Sequence, residues 1–203
     1  MTRLPQTSWS LDNLNRLDGQ TALITGSTGG LGFEIACGLA ERGASIILSG
    51  RNLEKGRAAL NRLYERVPSV QGRFEVLDLA SLASIAAFAT ALREQGRPIQ
   101  LLANNAGIMG PASRLTTKDG FELQFGTNHL GHFALTGRLL PLLAAGNATI
   151  MTVASLAALK GEIPFGDLNA RHRYNPMARY RQSKLSNLLF ALELDRRAKK
   201  APW

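Results

Sequence analysis

At 203 residues, 45% hydrophobic and 19% charged, the chain has the composition of one soluble globular domain with length enough for a substantial core. Its formal net charge of +9 is lopsided: residues 171–203 carry nine Lys or Arg against Glu193 and Asp195, leaving only +2 for the first 170 residues. That basic stretch matches no nucleic-acid motif, which argues against a nucleic-acid partner. The single Cys37 excludes an internal disulfide and fits a reducing, cytoplasmic compartment. The first residues contain no apolar run of a secretory signal. The uncharged stretch between Arg138 and Lys160 is long enough for a membrane span, but Pro141, Gly146-Asn147 and several Thr and Ser divide it. It reads as a helix end, a turn and a buried strand, with no stable membrane insertion.

Residues 1–18 read as an N-terminal arm, with Trp9, Leu14 and Leu17 able to form a short amphipathic turn, and 19–203 as the domain. "TALIT" (21–25) is a short apolar strand ending at glycine. A helix follows over 30–42, with Leu31, Ile35 and Leu39 at helical spacing. "ASIILSG" (44–50) predicts a second strand, and 52–67 a helix with Leu60, Leu63 and Val67 on one side. "RFEVLDL" (73–79) is the third strand, and 81–95 a helix carrying Leu82, Ile85, Ala89 and Leu92. "IQLLANN" (99–105) is the fourth, followed by a long helix ending near Leu143. "ATIMTVAS" (148–155) is the fifth, and a last helix runs from about Met177 to Lys200. Apolar strands alternating with amphipathic helices imply a doubly wound α/β fold, a parallel sheet covered on both faces. Such sheets bind ligands beyond the carboxyl ends of their strands.

Motifs gather at those ends. "TGSTGGLG" (25–32) places Gly26, Ser27, Thr28, Gly30, Leu31 and Gly32 between the first strand and first helix. Small residues there let backbone N–H groups approach a diphosphate at a helix N-terminus. The second strand ends in "LSGRN", with Gly50 where an NAD-binding fold places an acid, and Arg51 next. A guanidinium can clamp a ribose phosphate, which favours NADP over NAD. Tyr180 and Lys184 in "YRQSK" stand four residues apart and share a helix face. A close ammonium can lower a phenol's pKa by ~1–3 units. His129 and His132 lack a third ligand and read as packing histidines, so no metal is expected.

Taken in order, "TGSTGGLG", "LDL" (77–79), "NNAG" (104–107), "TNHLG" (127–131), Ser155 and "YRQSK" resemble the short-chain dehydrogenases/reductases, from about residue 19 to the end. "DGFELQFGTNHLGHFALTGRLLP" (119–141) and "YRQSKLSNLLFALEL" (180–194) are similar to the branch of the retinol dehydrogenases and protochlorophyllide reductases. The resemblance implies a Rossmann-type fold and an NADP-dependent oxidoreductase that interconverts an alcohol with a ketone or aldehyde on a fairly apolar small molecule. It implies that Tyr180 exchanges the proton, Lys184 holds the nicotinamide ribose and tunes Tyr180, Ser155 steadies the substrate oxygen and Asn128 anchors a relay water. It further implies that Asp78 and Leu79 flank the adenine, and that Asn104, Ala106 and Gly107 line the cofactor cleft. Family members continue into a sixth strand and a substrate lobe, which this sequence lacks before Trp203. Pairing through helices near 121–143 and 177–200, as a homodimer or homotetramer, is implied in the same way. The alternative reading is a catalytically silent nucleotide-binding sensor or scaffold.

Overall fold

The computed structural model describes residues 10–200, so Trp9 of the expected amphipathic turn lies outside the described residues. Leu11–Asn13 make one 3-10 turn, and Leu17 is buried in the core. Five strands follow: β1 (Thr21–Thr25), β2 (Ser45–Gly50), β3 (Gly72–Val76), β4 (Leu101–Asn104) and β5 (Thr149–Thr152). They pair in the order β3-β2-β1-β4-β5, every pair parallel. The helices between them are α1 (Gly30–Glu41), α2 (Leu53–Arg66) and α3 (Leu82–Gln95). The short α4 (Leu123–Phe125) runs through a π-helical turn, Gly126–Leu130, into α5 (Gly131–Ala145). The long α6 (Pro176–Ala198) closes the order.

Strand geometry explains the layering. Successive side chains point to opposite faces, so Leu23 and Ile47 enter one apolar cluster with Ile85 and Leu92 of α3 and Leu135 and Leu139 of α5. Their neighbours Ala22, Ile24, Ile46 and Leu48 enter the other, with Ala36 and Cys37 of α1 and Leu63 of α2. A sheet buried on both faces needs continuous apolar strands, which is what the sequence supplies. Helix starts are capped locally: Asn52 accepts from the Lys55 N–H at 2.8 Å, Ser81 from Ser84 at 3.3 Å and Asn175 from Ala178 at 2.8 Å.

The doubly wound sheet matches the expected fold, with β1 as expected and β2 to β5 shorter than the apolar runs suggested. β3 ends at Val76, the partner of Gly50, so Leu77–Leu79 leave the sheet, and the Asp78 N–H donates to Ser84 Oγ at 3.0 Å. β5 stops at Thr152, which puts Ser155 in a loop, at the start of a 3-10 turn over Leu156–Lys160. Leu31, expected on the packed face of its helix, is 61% exposed, in the first turn of α1. No helix among the described residues is long and apolar enough to cross a membrane.

Candidate active site

The strand order reverses between β1 and β4, and a crevice of about 340 Å³ opens beyond their carboxyl ends. Gly26, Thr28, Leu31 and Gly32 form its floor, Gly50 and Arg51 one end, Asp78 and Leu79 a side, and Ala106 and Gly107 the opposite lip. A smaller cleft of about 230 Å³ lies at the amino-terminal edge of the strands and includes none of the candidate site residues.

Backbone geometry shapes the floor. Gly26 has φ +65°, and a Cβ there would lie 2.8 Å from Ala106 Cα, so the turn after β1 touches the loop after β4. The Asn105 side chain stitches the same two segments, donating to Thr25 O at 2.8 Å. α1 then begins with no acidic residue in its first turn, leaving its N–H groups and positive dipole end to face an anion. A cradle closed to side chains but open to a phosphate fits a dinucleotide.

Arg51 is exposed at the end of β2, beside Thr28, whose methyl sits 3.1 Å from where a Gly50 Cβ would be. Asp78 is committed within its own loop: Oδ1 accepts from the Ala80 N–H at 3.0 Å and Oδ2 lies 3.4 Å from Lys118 Nζ.

Three expected cofactor contacts do not reach the crevice. Ser27 is fully buried, donating to Ile24 O at 3.0 Å and accepting from the Ser49 N–H at 2.9 Å, because it ties β1 to β2. Asn104 is the last paired residue of β4 and points inward, donating to Thr136 Oγ1 at 3.1 Å. Asn105 lines the crevice in its place. Gly30 opens α1 with φ +55° and serves the turn without lining the crevice. Asn105 and Thr127 line the crevice and were not singled out from the sequence; their neighbours in "NNAG" and "TNHLG" were the only signal.

α6 brings Tyr180 and Lys184 onto one face, with Lys184 Nζ 5.8 Å from the Tyr180 ring centre. Lys184 is buried, and Nζ donates to Val153 O at 2.9 Å, two residues before Ser155. The same ammonium comes within 3.6 Å of where a Gly107 Cβ would be, at the lip of the crevice. No carboxylate among the described residues pairs with it, and burial lowers its pKa below the ordinary lysine value. Ser155 Oγ accepts from the Ala157 N–H at 3.1 Å, which leaves its own proton to donate. The 3-10 turn that Ser155 begins packs against α6: a Cβ on Gly161, which follows it, would lie 2.8 Å from Arg181 O.

Asn128 sits in the π-helical turn, fully buried. Its Nδ2 donates to Ile108 O at 2.9 Å and Ser183 Oγ at 3.0 Å, and its Oδ1 accepts from the Ile108 N–H at 2.8 Å. The side chain expected to anchor a relay water is thus a strut from the β4 loop to α6. His129 stacks on Phe125 with ring centres 5.4 Å apart, as a packing histidine does. His132 is packed in the core as well, with both its ring nitrogens hydrogen-bonded.

The family signature of the short chain dehydrogenases matches residues 20–166. The chain belongs to the short-chain dehydrogenase/reductase family. Within it the chain falls in the retinol dehydrogenase-like branch. It is 45% identical to human retinol dehydrogenase 13 over 183 residues, covering 89% of this chain and 55% of that protein. It is 42% identical to mouse polyprenol dehydrogenase over 183 residues, covering 88% and 54%. The chain therefore spans about half the length of these curated relatives. A solved structure of an uncharacterised protein from Mycobacterium paratuberculosis superposes with a TM-score of 0.84 at 42% identity, covering 96% of this chain and 69% of that one. A metagenomic short-chain oxidoreductase crystallised with NADP superposes with a TM-score of 0.72 at 25% identity, covering 91% and 78%.

Proposed function

We propose that the protein is an NADP-dependent oxidoreductase interconverting an alcohol and a carbonyl on a fairly apolar small molecule. The observation that carries this reading is Lys184: a buried ammonium without a carboxylate, at the lip of the dinucleotide crevice and on the helix face of Tyr180. An uncompensated buried charge is costly, and ribose hydroxyls are acceptors that its remaining N–H groups can use. Gly26, Thr28, Gly32 and the first turn of α1 would hold the diphosphate, and Arg51 the adenosine 2′-phosphate. The NADP-bound relative supports that choice of cofactor.

When bound, the nicotinamide supplies or accepts the hydride at the reacting carbon. The protein's residues handle the oxygen. In reduction, Tyr180 gives its phenolic proton to the carbonyl oxygen, and in oxidation it takes the proton back. Ser155 donates its free O–H to the same oxygen as negative charge develops there. Asn128 holds Ile108 and Ser183 in place and so fixes the distance between the crevice lip and α6. Leu156 and Leu159, just after Ser155, and Met109, just after the lip, are exposed apolar side chains close in sequence to the reacting groups, which favours an apolar substrate. Relatives named for retinol and polyprenol support an apolar alcohol as the substrate class.

The test is NADPH oxidation with a panel of apolar ketones and aldehydes. Tyr180→Phe should lower turnover by about a thousandfold or more while the NADPH Kd stays within about twofold. Undiminished turnover in that variant, or failure of the wild type to bind NADPH, overturns the reading.

A further inference from the structure

His132 lies on α5, fully buried, behind the crevice it does not line. Its Nδ1 is 2.8 Å from Asn128 O and its Nε2 2.8 Å from Thr25 Oγ1. A carbonyl oxygen only accepts, so Nδ1 carries the proton. In a neutral ring Nε2 is then an acceptor, and the Thr25 hydroxyl must donate to it. Thr25 has one proton to give, and the competing acceptor, Ala103 O, is farther away at 3.2 Å. With its proton directed to His132, Thr25 Oγ1 offers both lone pairs to the N–H groups of Asn105 at 2.9 Å and Ala106 at 3.0 Å. Those two amides set the path of the β4 loop, and Ala106 is the residue against which Gly26 closes. One hydroxyl thus gathers the glycine turn and the β4 lip, and one imidazole fixes which way that hydroxyl points.

We propose that His132, as the neutral Nδ1–H tautomer, is a positioning residue that orients Thr25 and so holds the two walls of the dinucleotide crevice at the separation that accepts the cofactor. This deepens the reading of the crevice as an NADP site and rests on it for its ligand. The ring touches neither substrate nor cofactor; it acts through Thr25 and, by its other nitrogen, through the Asn128 strut.

Two substitutions separate its two bonds. His132→Gln keeps an acceptor near the Nε2 position facing Thr25, whereas His132→Asn keeps a donor near Nδ1 facing Asn128 O and loses Thr25. NADPH is titrated into each variant by fluorescence, alongside thermal melts and circular dichroism to confirm folding. His132→Gln should bind within about threefold of wild type, and His132→Asn about tenfold or more weaker, even where both melt alike. Equal affinity for the two variants overturns the proposal, because a purely structural histidine would give affinities that follow stability. The wild-type ring decides the matter if a variant does not fold: nitrogen-15 spectra should show a protonated Nδ1 and an unprotonated, hydrogen-bonded Nε2, and the opposite tautomer overturns it. A wild type that binds no NADPH while showing the expected tautomer sinks the cofactor assignment and leaves the hydrogen-bonded hub standing as structure alone.

Discussion

Single side chains here divide into those whose chemistry is local and those whose meaning depends on a distant partner. Lys184 belongs to the second kind: its length lets the ammonium reach Val153 O and Gly107 from the middle of α6. Gly26 joins it through the distant Ala106, although its left-handed φ is a local demand of the turn. At φ +65° an alanine is strained, and its Cβ would lie 2.8 Å from Ala106 Cα. Gly26→Ala should therefore cost about 1–3 kcal/mol of stability, since neither backbone segment can yield without opening the crevice. Urea denaturation measures the loss, and NADPH titration should show weakened binding in the same variant. A variant as stable as wild type would mean that the turn after β1 is looser than its contacts indicate.

Among elements, α6 and the π-helical turn carry the arrangement. α6 begins at Asn175, whose side chain accepts from the Ala178 N–H, with Pro176 in the first turn where its missing N–H costs nothing. Asn175→Ala should lower stability by about 1 kcal/mol, visible as a fall of roughly 2–4 °C in melting temperature. A melt unchanged within error would show that the first turn of α6 is held by packing alone. The π-helical turn holds Asn128 fully buried, with Ile108 and Ser183 both within reach. A regular α-helix through "GTNHL" would rotate that side chain by an extra residue's angle.

For the molecule as a whole, acid stability follows from the buried network. Burial holds the His132 pKa down to about 4 from an ordinary 6.5, and the positive Lys184 pushes the same way, while the Asn128 carbonyl opposes them. The unfolded chain takes up the proton first. Stability from this group is therefore full above about pH 6.5, declines as pH falls, and its loss levels off below about pH 4, amounting to ~3 kcal/mol. Urea midpoints recorded between about pH 7 and about pH 4.5 should slope downward toward acid, and His132→Gln should flatten that slope. A variant with an undiminished slope would place the titrating group elsewhere.

The fold was legible because its signal is local and repeated. Apolar strands of a few residues, separated by helical periodicity, admit little besides a parallel sheet buried on both faces, and the glycine turn and the Tyr180–Lys184 spacing mark its functional edge. What the string of residues leaves open is which neighbour faces which way. Asn104 and Asn105 are adjacent and identical, yet one is locked onto Thr136 and the other lines the crevice, because β4 ends between them. Ser27 sits among the glycine-turn residues and points into the core; Leu31 sits at a core spacing and points out. His132 meets Thr25 across 107 positions, a pairing no window of sequence contains. Periodicity determines which face of an element is buried, whereas hydrogen bonds between elements depend on where each element stops and how it is set against the next, and only the packed tertiary structure decides that.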